Sequence, residues 1–130
     1  MAGPASIVTH EVTTRPRRGG RVGTAVAVML LAAACASATP EVPAGPDGEP
    51  DPVLVEGRQI YRNRCAGCHG GAGEGGRGPR LGGGAVVEAY PDIADQVAVV
   101  TDGRGGMPAW GGVLDEAEIE AVVRFTREVL

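Results

Sequence analysis

The last sixteen residues carry the clearest alternation of hydrophobic and polar positions in the chain. The i, i+3, i+4, i+7 spacing of an amphipathic helix is met by Ile119, Val122, Val123 and Thr126. Asp115 stands where an N-cap is expected, and Glu118 follows it by three positions, as in a capping box. The pattern therefore predicts a C-terminal helix with one buried face.

Two further segments have helical patterns. The stretch "VLVEGRQIY", residues 53–61, suits a helix better than the period-two alternation of a strand, and it places Gly57 and Tyr61 on one face. Residues 90–103 predict another helix, with Pro91 at its start and Gly103 just past its end. The segment before Cys65 does not read as a strand.

The N-terminal region has the order of a secretory signal. A basic segment is followed by the uncharged run "VGTAVAVMLLAAACASA", residues 22–38. Its apolar part, about 13 residues, is short of the roughly 20 that a spanning helix needs. We predict a signal peptide over residues 1–35 and an extracytoplasmic protein at the outer face of the plasma membrane or in the periplasm. A retained N-terminal anchor is the rival interpretation.

Cys35 closes this run in the sequence "LLAAAC", which resembles the lipobox of bacterial lipoproteins. The resemblance implies that Cys35 carries a lipid anchor, although Ala32 stands where that family usually has leucine. Cleavage by the ordinary signal peptidase near "ASA" is the alternative. Residues 36–52 are rich in proline and acidic residues, and we predict that they form a disordered tether.

Residues 53–130 then form the predicted folded domain. It has four aromatic residues and many glycines, so its core is small. Domains of this size usually need a metal, a cofactor or disulfides to be stable. The composition therefore points to a bound group that supplies apolar bulk.

The stretch "CAGCHG", residues 65–70, allows three chemical interpretations. A structural zinc site needs four ligands, and after Cys35 the chain offers only Cys65, Cys68 and His69. A thiol redox pair needs a preceding strand, which is absent from the pattern. C-x-x-C-H is the signature of c-type haem attachment, which takes place outside the cytoplasm and so agrees with the predicted export. We favour one covalently bound haem c, held by Cys65 and Cys68 with His69 as axial iron ligand.

A second axial ligand is available in "GRGGMPAWGG", residues 103–112. Beyond His69, Met107 is the only sulfur or imidazole ligand in the chain. Methionine opposite histidine is typical of electron-transfer haems with a raised potential. We therefore predict that Met107 ligates the iron; an ordinary packing role is the alternative.

These segments together resemble a small mono-haem class I cytochrome c, and the resemblance spans nearly all of residues 53–130. The resemblance rests on "CAGCH" at 65–69, "GRGPRLGG" at 76–83, "DGRGGMPAWGG" at 102–112 and the closing helix. It implies an all-α fold, the class I cytochrome c fold, with three to five short helices around one covalently bound haem. It also implies that Pro79 accepts a hydrogen bond from the ligating histidine, and that Leu81 and Trp110 line the haem pocket. In that family the first and last helices cross closely, which would pair Gly57 with Phe125.

We expect an electron carrier rather than an enzyme. Residues 36–130 carry eight arginines, no lysine and fifteen acidic residues, a formal charge of −7 against −4 for the whole chain. This charge argues against nucleic acid and favours partners with a basic docking face. Expected partners are a quinol–cytochrome oxidoreductase, a terminal oxidase or a dehydrogenase, and the membrane through the lipid. A haem peroxidase, a gas or redox sensor, or a fixed haem subunit of a respiratory complex are the alternatives.

Overall fold

The computed structural model describes residues 37–130, and this part of the chain is helical, without a strand. The predicted signal peptide and the predicted lipid site, Cys35, lie outside the described residues. The all-α prediction is confirmed. Within residues 37–130, no helix is long and apolar enough to cross a membrane. Five α-helices and one π-helical turn follow in the order α1 (Pro52–Ile60), the π-turn (Tyr61–Cys65), α2 (Ala66–His69), α3 (Ala85–Ala89), α4 (Ile93–Asp102) and α5 (Glu116–Glu128).

The C-terminal helix α5 forms as its sequence pattern predicts. The Asp115 side chain accepts a hydrogen bond from the Glu118 backbone N–H at 2.9 Å, and the Glu118 carboxylate accepts one from the Asp115 N–H at 2.9 Å. This capping box satisfies two backbone donors that the first turn would leave free. The predicted stripe is buried along its whole length: Ile119, Val122, Val123 and Thr126.

Helices α1 and α5 cross where α1 has no side chain. A Cβ at Gly57 would overlap the Ala121 carbonyl and lie 2.9 Å from the Cβ of Phe125. The expected approach of Gly57 to Phe125 is thus confirmed. Asp51 caps α1 by accepting from the Val53 N–H at 2.8 Å, and its other oxygen accepts from Arg124 of α5 at 3.0 Å. One carboxylate therefore begins α1 and also joins it to α5.

The core centres on an aromatic pair. Tyr61 and Phe125 are fully buried, with ring centroids 5.6 Å apart and planes tilted by 45°. The Tyr61 hydroxyl donates to the Gly70 carbonyl at 2.6 Å. Since Tyr61 opens the π-turn and Gly70 follows α2, this bond holds the segment that contains both cysteines against the core.

Helix α4 begins slightly later than its pattern suggests. Asp92 is the N-cap, accepting from the Ala94 N–H at 2.9 Å, so Pro91 precedes the helix rather than starting it. Gly103 ends the helix with φ +75°, a left-handed conformation that suits glycine. The short helix α3 had no clear sequence pattern.

Residues 37–51 differ from the disordered tether that composition predicts. The Arg58 side chain donates to the Pro40 carbonyl at 2.6 Å and to the Thr39 carbonyl at 3.1 Å, and it pairs with the Glu41 carboxylate. Val42 packs against the core cluster. This segment is held because one arginine of α1, Arg58, donates hydrogen bonds to backbone carbonyls that a proline-rich segment leaves without partners. Folded structure therefore starts before the predicted boundary at residue 53.

Candidate functional site

A cavity of about 530 Å³ opens between the π-turn, α4 and α5. This volume is within the usual range for cofactor pockets. The structure brings every predicted site residue of the domain to its wall: Cys65, Cys68, His69, Pro79, Leu81, Met107 and Trp110. Residues as far apart in sequence as Cys65 and Trp110 thus line one cavity.

The two cysteines and the histidine are placed by consecutive helical turns. Cys65 ends the π-turn, and Cys68 and His69 complete α2. π-Turns are rare and often occur at functional sites. Both cysteines lie at the cavity wall, and neither forms a disulfide. Burial, and then the neighbouring Cys68, raise the pKa of Cys65 to about 11. A redox-active thiol pair requires a lowered pKa instead, so the environment disfavours that interpretation.

His69 is buried and oriented by the backbone of the loop that follows it. Its Nδ1 lies 2.8 Å from the Pro79 carbonyl oxygen. Only 8 % of the surface of His69 is exposed. Because a carbonyl oxygen only accepts, Nδ1 carries the proton and Nε2 keeps its lone pair. Gly78 lies so close to the ring that a Cβ there would be 2.6 Å from Cε1. The loop thus fixes the tautomer that a metal-binding histidine needs.

Met107 is held by a tight turn after α4. The Arg104 N–H donates to the Met107 carbonyl at 3.1 Å, and the Met107 N–H donates to the Arg104 carbonyl at 3.0 Å. Gly105 between them has φ +60°. The backbone N–H of Trp110 then donates to the Val100 carbonyl of α4 at 3.1 Å, and this bond joins the end of the loop to the helix. The methionine is therefore delivered by a closed loop and not by a helix face.

The character of the cavity fits a large flat apolar cofactor with an iron centre. Much of the wall is aliphatic, from Leu81, Val86, Val99, Val100, Val122 and Val123. Two thiols, an imidazole and a thioether line the same space: the imidazole and the thioether are donors suited to haem iron, and the two thiols could attach the porphyrin covalently. Among the described residues, no group of three or more histidine, cysteine or acidic side chains is placed to hold a metal ion alone.

Sequence reasoning missed several polar residues of the cavity. Gln96 and Thr126 are each 5 % exposed and hydrogen-bonded to one another, and Tyr90 lies at the wall with its hydroxyl accepting from Arg104 at 3.2 Å. Arg64, Arg77 and Arg104 also line the cavity and are exposed. Arg77 and Arg104 lie within the quoted segments "GRGPRLGG" and "DGRGGMPAWGG", but nothing in those segments singled out the arginines. Only Thr126 could have been noticed from the sequence, because it is a polar residue on the apolar stripe of α5.

Comparison with known proteins agrees with this geometry. Residues 52–125 match the family described as "Cytochrome C oxidase, cbb3-type, subunit III". The chain is 34 % identical over 76 residues to a cytochrome c6 of Chlorolobion braunii, covering 55 % of this chain and 85 % of that protein. It is 30 % identical over 107 residues to cytochrome c-551 of Bacillus subtilis (strain 168), covering 82 % and 90 %.

A third relative is much longer. The cbb3-type cytochrome c oxidase subunit FixP of Azorhizobium caulinodans is 37 % identical over 79 residues, 57 % of this chain but only 26 % of FixP. The similarity thus concerns about a quarter of that longer subunit. The family match, the relatives of similar length and the cavity together show that the chain belongs to the cytochrome c family, as a small mono-haem class I cytochrome c with one covalently bound haem c that transfers electrons.

Proposed function

We propose that Cys65 and Cys68 form the thioether links to the haem, and that His69 and Met107 are its axial ligands. The observation that carries this assignment is that all four side chains line one cavity while Pro79 holds the His69 proton on Nδ1. The bound haem supplies a one-electron couple between ferrous and ferric iron. The chain's own residues orient the ligands and exclude water, with Leu81 and Trp110 forming part of the wall.

Electron transfer requires that both ligands stay in place in both oxidation states. The Met107 loop is closed by its paired bonds with Arg104 and by the return of Trp110 to α4. These bonds favour a carrier over a peroxidase or a gas sensor, both of which need a free or exchangeable iron position. We therefore propose an electron carrier without enzymatic activity.

The assignment is tested on protein coexpressed with a cytochrome c maturation system. Intact mass should show one haem added to the chain, and the ferric spectrum should contain the weak far-red band typical of methionine–iron ligation. Met107→Ala should keep the covalent haem, lose that band and become high-spin or bind cyanide readily. A wild-type protein that already binds cyanide readily in the ferric form would support the enzyme or sensor instead.

We propose that the protein works outside the cytoplasm, held to the membrane by a lipid on Cys35. The support is the sequence resemblance of "LLAAAC" to a lipobox and the need of haem attachment for an extracytoplasmic compartment. Mass spectrometry of the mature N-terminus checks the lipid. A soluble product that begins after Cys35 would contradict it.

Redox partners of membrane respiratory chains follow from this location: a quinol–cytochrome oxidoreductase, a terminal oxidase or a dehydrogenase. The second candidate is a fixed subunit of an oxidase, which the match to the cbb3 subunit family favours. Purification in mild detergent separates the two. A free carrier elutes alone, whereas a subunit co-elutes in fixed proportion with the other chains of its complex.

A further inference from the structure

Two buried polar side chains interrupt the aliphatic part of the cavity wall. Gln96 comes from α4 and Thr126 from α5, and each is 5 % exposed. The Gln96 Nε2 donates to the Thr126 Oγ1 at 2.8 Å. Replacing both partners of such a pair by apolar groups of the same shape is nearly neutral for stability. Folding alone therefore gives little reason for polar residues at these positions.

The pair is part of a longer chain of hydrogen bonds that starts from a cation. The Arg127 Nη1 donates to the Gln96 Oε1 at 3.1 Å, and the Thr126 Oγ1 donates to the Val123 carbonyl at 2.8 Å. Arg127 also donates to the Tyr90 carbonyl at 2.8 Å and to the Pro91 carbonyl at 3.3 Å. All these acceptors are neutral oxygens.

The charge of Arg127 is therefore not neutralised by a carboxylate, in contrast to its neighbour on α5. Among residues 37–130 the ion pairs involve Arg58 and Arg124, and Arg124 contacts both Asp51 and Glu128. Gln96 and Thr126 both line the cavity, so the hydrogen bonds that start at Arg127 lead to side chains of its wall. In a low-dielectric interior, an uncompensated charge acts over several ångströms.

We propose that Gln96, Thr126 and Arg127 form a positioning network that raises the reduction potential of the haem. The inference rests on the proposed function, because it requires the haem to occupy this cavity. A positive potential at the cavity wall stabilises the ferrous state, which carries one positive charge fewer than the ferric state. None of the three residues ligates the iron; they act through the electric field at the cavity.

The test measures the ferrous-to-ferric ratio of the holoprotein at a fixed solution potential. Arg127→Gln keeps a hydrogen-bonding side chain and removes the charge, and it should lower this ratio about five-fold, equal to about 40 mV at 59 mV per tenfold change. Arg127→Lys keeps the charge and should restore a ratio close to wild type. Arg124→Gln removes an equal charge from the same helix but outside this hydrogen-bond chain, so it should lower the ratio less than Arg127→Gln does.

A second variant separates the field from the fold. The double variant Gln96→Leu, Thr126→Val replaces both partners by apolar side chains, so it should keep the melting temperature and still lower the ferrous fraction. Ratios within two-fold of wild type in both Arg127→Gln and the double variant would overturn the proposal. Loss of the far-red methionine band in Arg127→Gln would also overturn it, since the network would then act by holding the Met107 loop. A wild-type chain that lacks covalent haem would instead overturn the proposed function itself.

Discussion

At the scale of single residues, the site depends on groups that have no chemistry of their own. Gly78 is the clearest case, because its missing side chain leaves the space that the His69 ring occupies. The Pro79 carbonyl next to it fixes the ring proton. The orientation of the His69 ring is thus encoded in the loop "GRGP" as well as in the histidine.

We predict that Gly78→Ala displaces His69. The added Cβ would lie 2.6 Å from Cε1 and 2.8 Å from Nδ1, closer than such atoms approach, so the ring must turn away from Pro79. Haem attachment should persist while the ferric spectrum shows partial loss of histidine ligation. Gly112→Ala is the matched control, since a Cβ there meets no atom within 4 Å. A normal low-spin spectrum for Gly78→Ala would contradict the prediction.

A second residue-scale prediction concerns Tyr61. Tyr61→Phe removes the bond to the Gly70 carbonyl and should lower the free energy of unfolding by about 1–3 kcal/mol at neutral pH, because a buried acceptor loses its partner. Thermal or denaturant unfolding of the holoprotein measures this loss.

The same variant should change the alkaline pH dependence. Burial raises the pKa of Tyr61 from 10.0 to about 12, so folding favours the neutral phenol. The stabilisation is complete below about pH 10 and is lost as pH rises toward about 12. Wild type should therefore lose more stability than Tyr61→Phe across that interval. Parallel stability profiles for the two proteins would refute the assignment.

At the scale of helices, local sequence rules were sufficient for α5 and insufficient for the π-turn. The capping box of Asp115 and Glu118 and the apolar stripe use contacts within one helix, so they are readable from spacing. The π-turn at Tyr61–Cys65 has no such signature, because it results from packing Tyr61 into the core while directing Cys65 to the cavity. Its position depends on the tertiary structure.

The segment 37–51 shows the same limit. Its proline-rich composition predicts a disordered tether, but composition does not reveal that Arg58 meets the carbonyls of Thr39 and Pro40. The Gln96–Thr126 bond likewise joins residues 30 positions apart. The candidate ligand set could be proposed from the sequence because its residue types are rare in this chain. The polar wall was not, since glutamine and threonine are common surface residues.

The crossing of α1 and α5 gives the prediction at this scale. Gly57→Ala would place a Cβ against the Ala121 backbone, which has no freedom to rotate away, so the helices must separate. Overpacking of this kind costs about 1–3 kcal/mol, and the melting temperature of the holoprotein should fall accordingly. Gly67→Ala in α2 is the control, because a Cβ there meets nothing within 4 Å. A Gly57→Ala protein as stable as the control would mean that the crossing is looser than described.

At the scale of the whole molecule, charge is distributed unevenly. Residues 37–130 have eight arginines and fifteen acidic residues, yet Arg64, Arg77 and Arg104 line the cavity and are exposed. The net negative charge led to the expectation of a partner with a basic docking face. The rim of the cavity, in contrast to the domain as a whole, is positively charged. A redox partner that exchanges electrons at this rim therefore meets a surface that attracts anions.

We therefore predict how a small anionic oxidant, ferricyanide, reacts with the reduced protein. Arg77→Glu should slow the reaction several-fold at low ionic strength, because it reverses one of three charges beside the cavity. Arg62→Glu changes the net charge equally at an exposed residue that does not line the cavity, and it should slow the reaction less. The difference should vanish above about 0.5 M salt, where the Debye length is only a few ångströms. Stopped-flow measurement of the reaction rate at several ionic strengths tests this prediction. If the rate depends on ionic strength equally in Arg77→Glu and Arg62→Glu, ferricyanide responds to the total charge and not to the arginines at the rim.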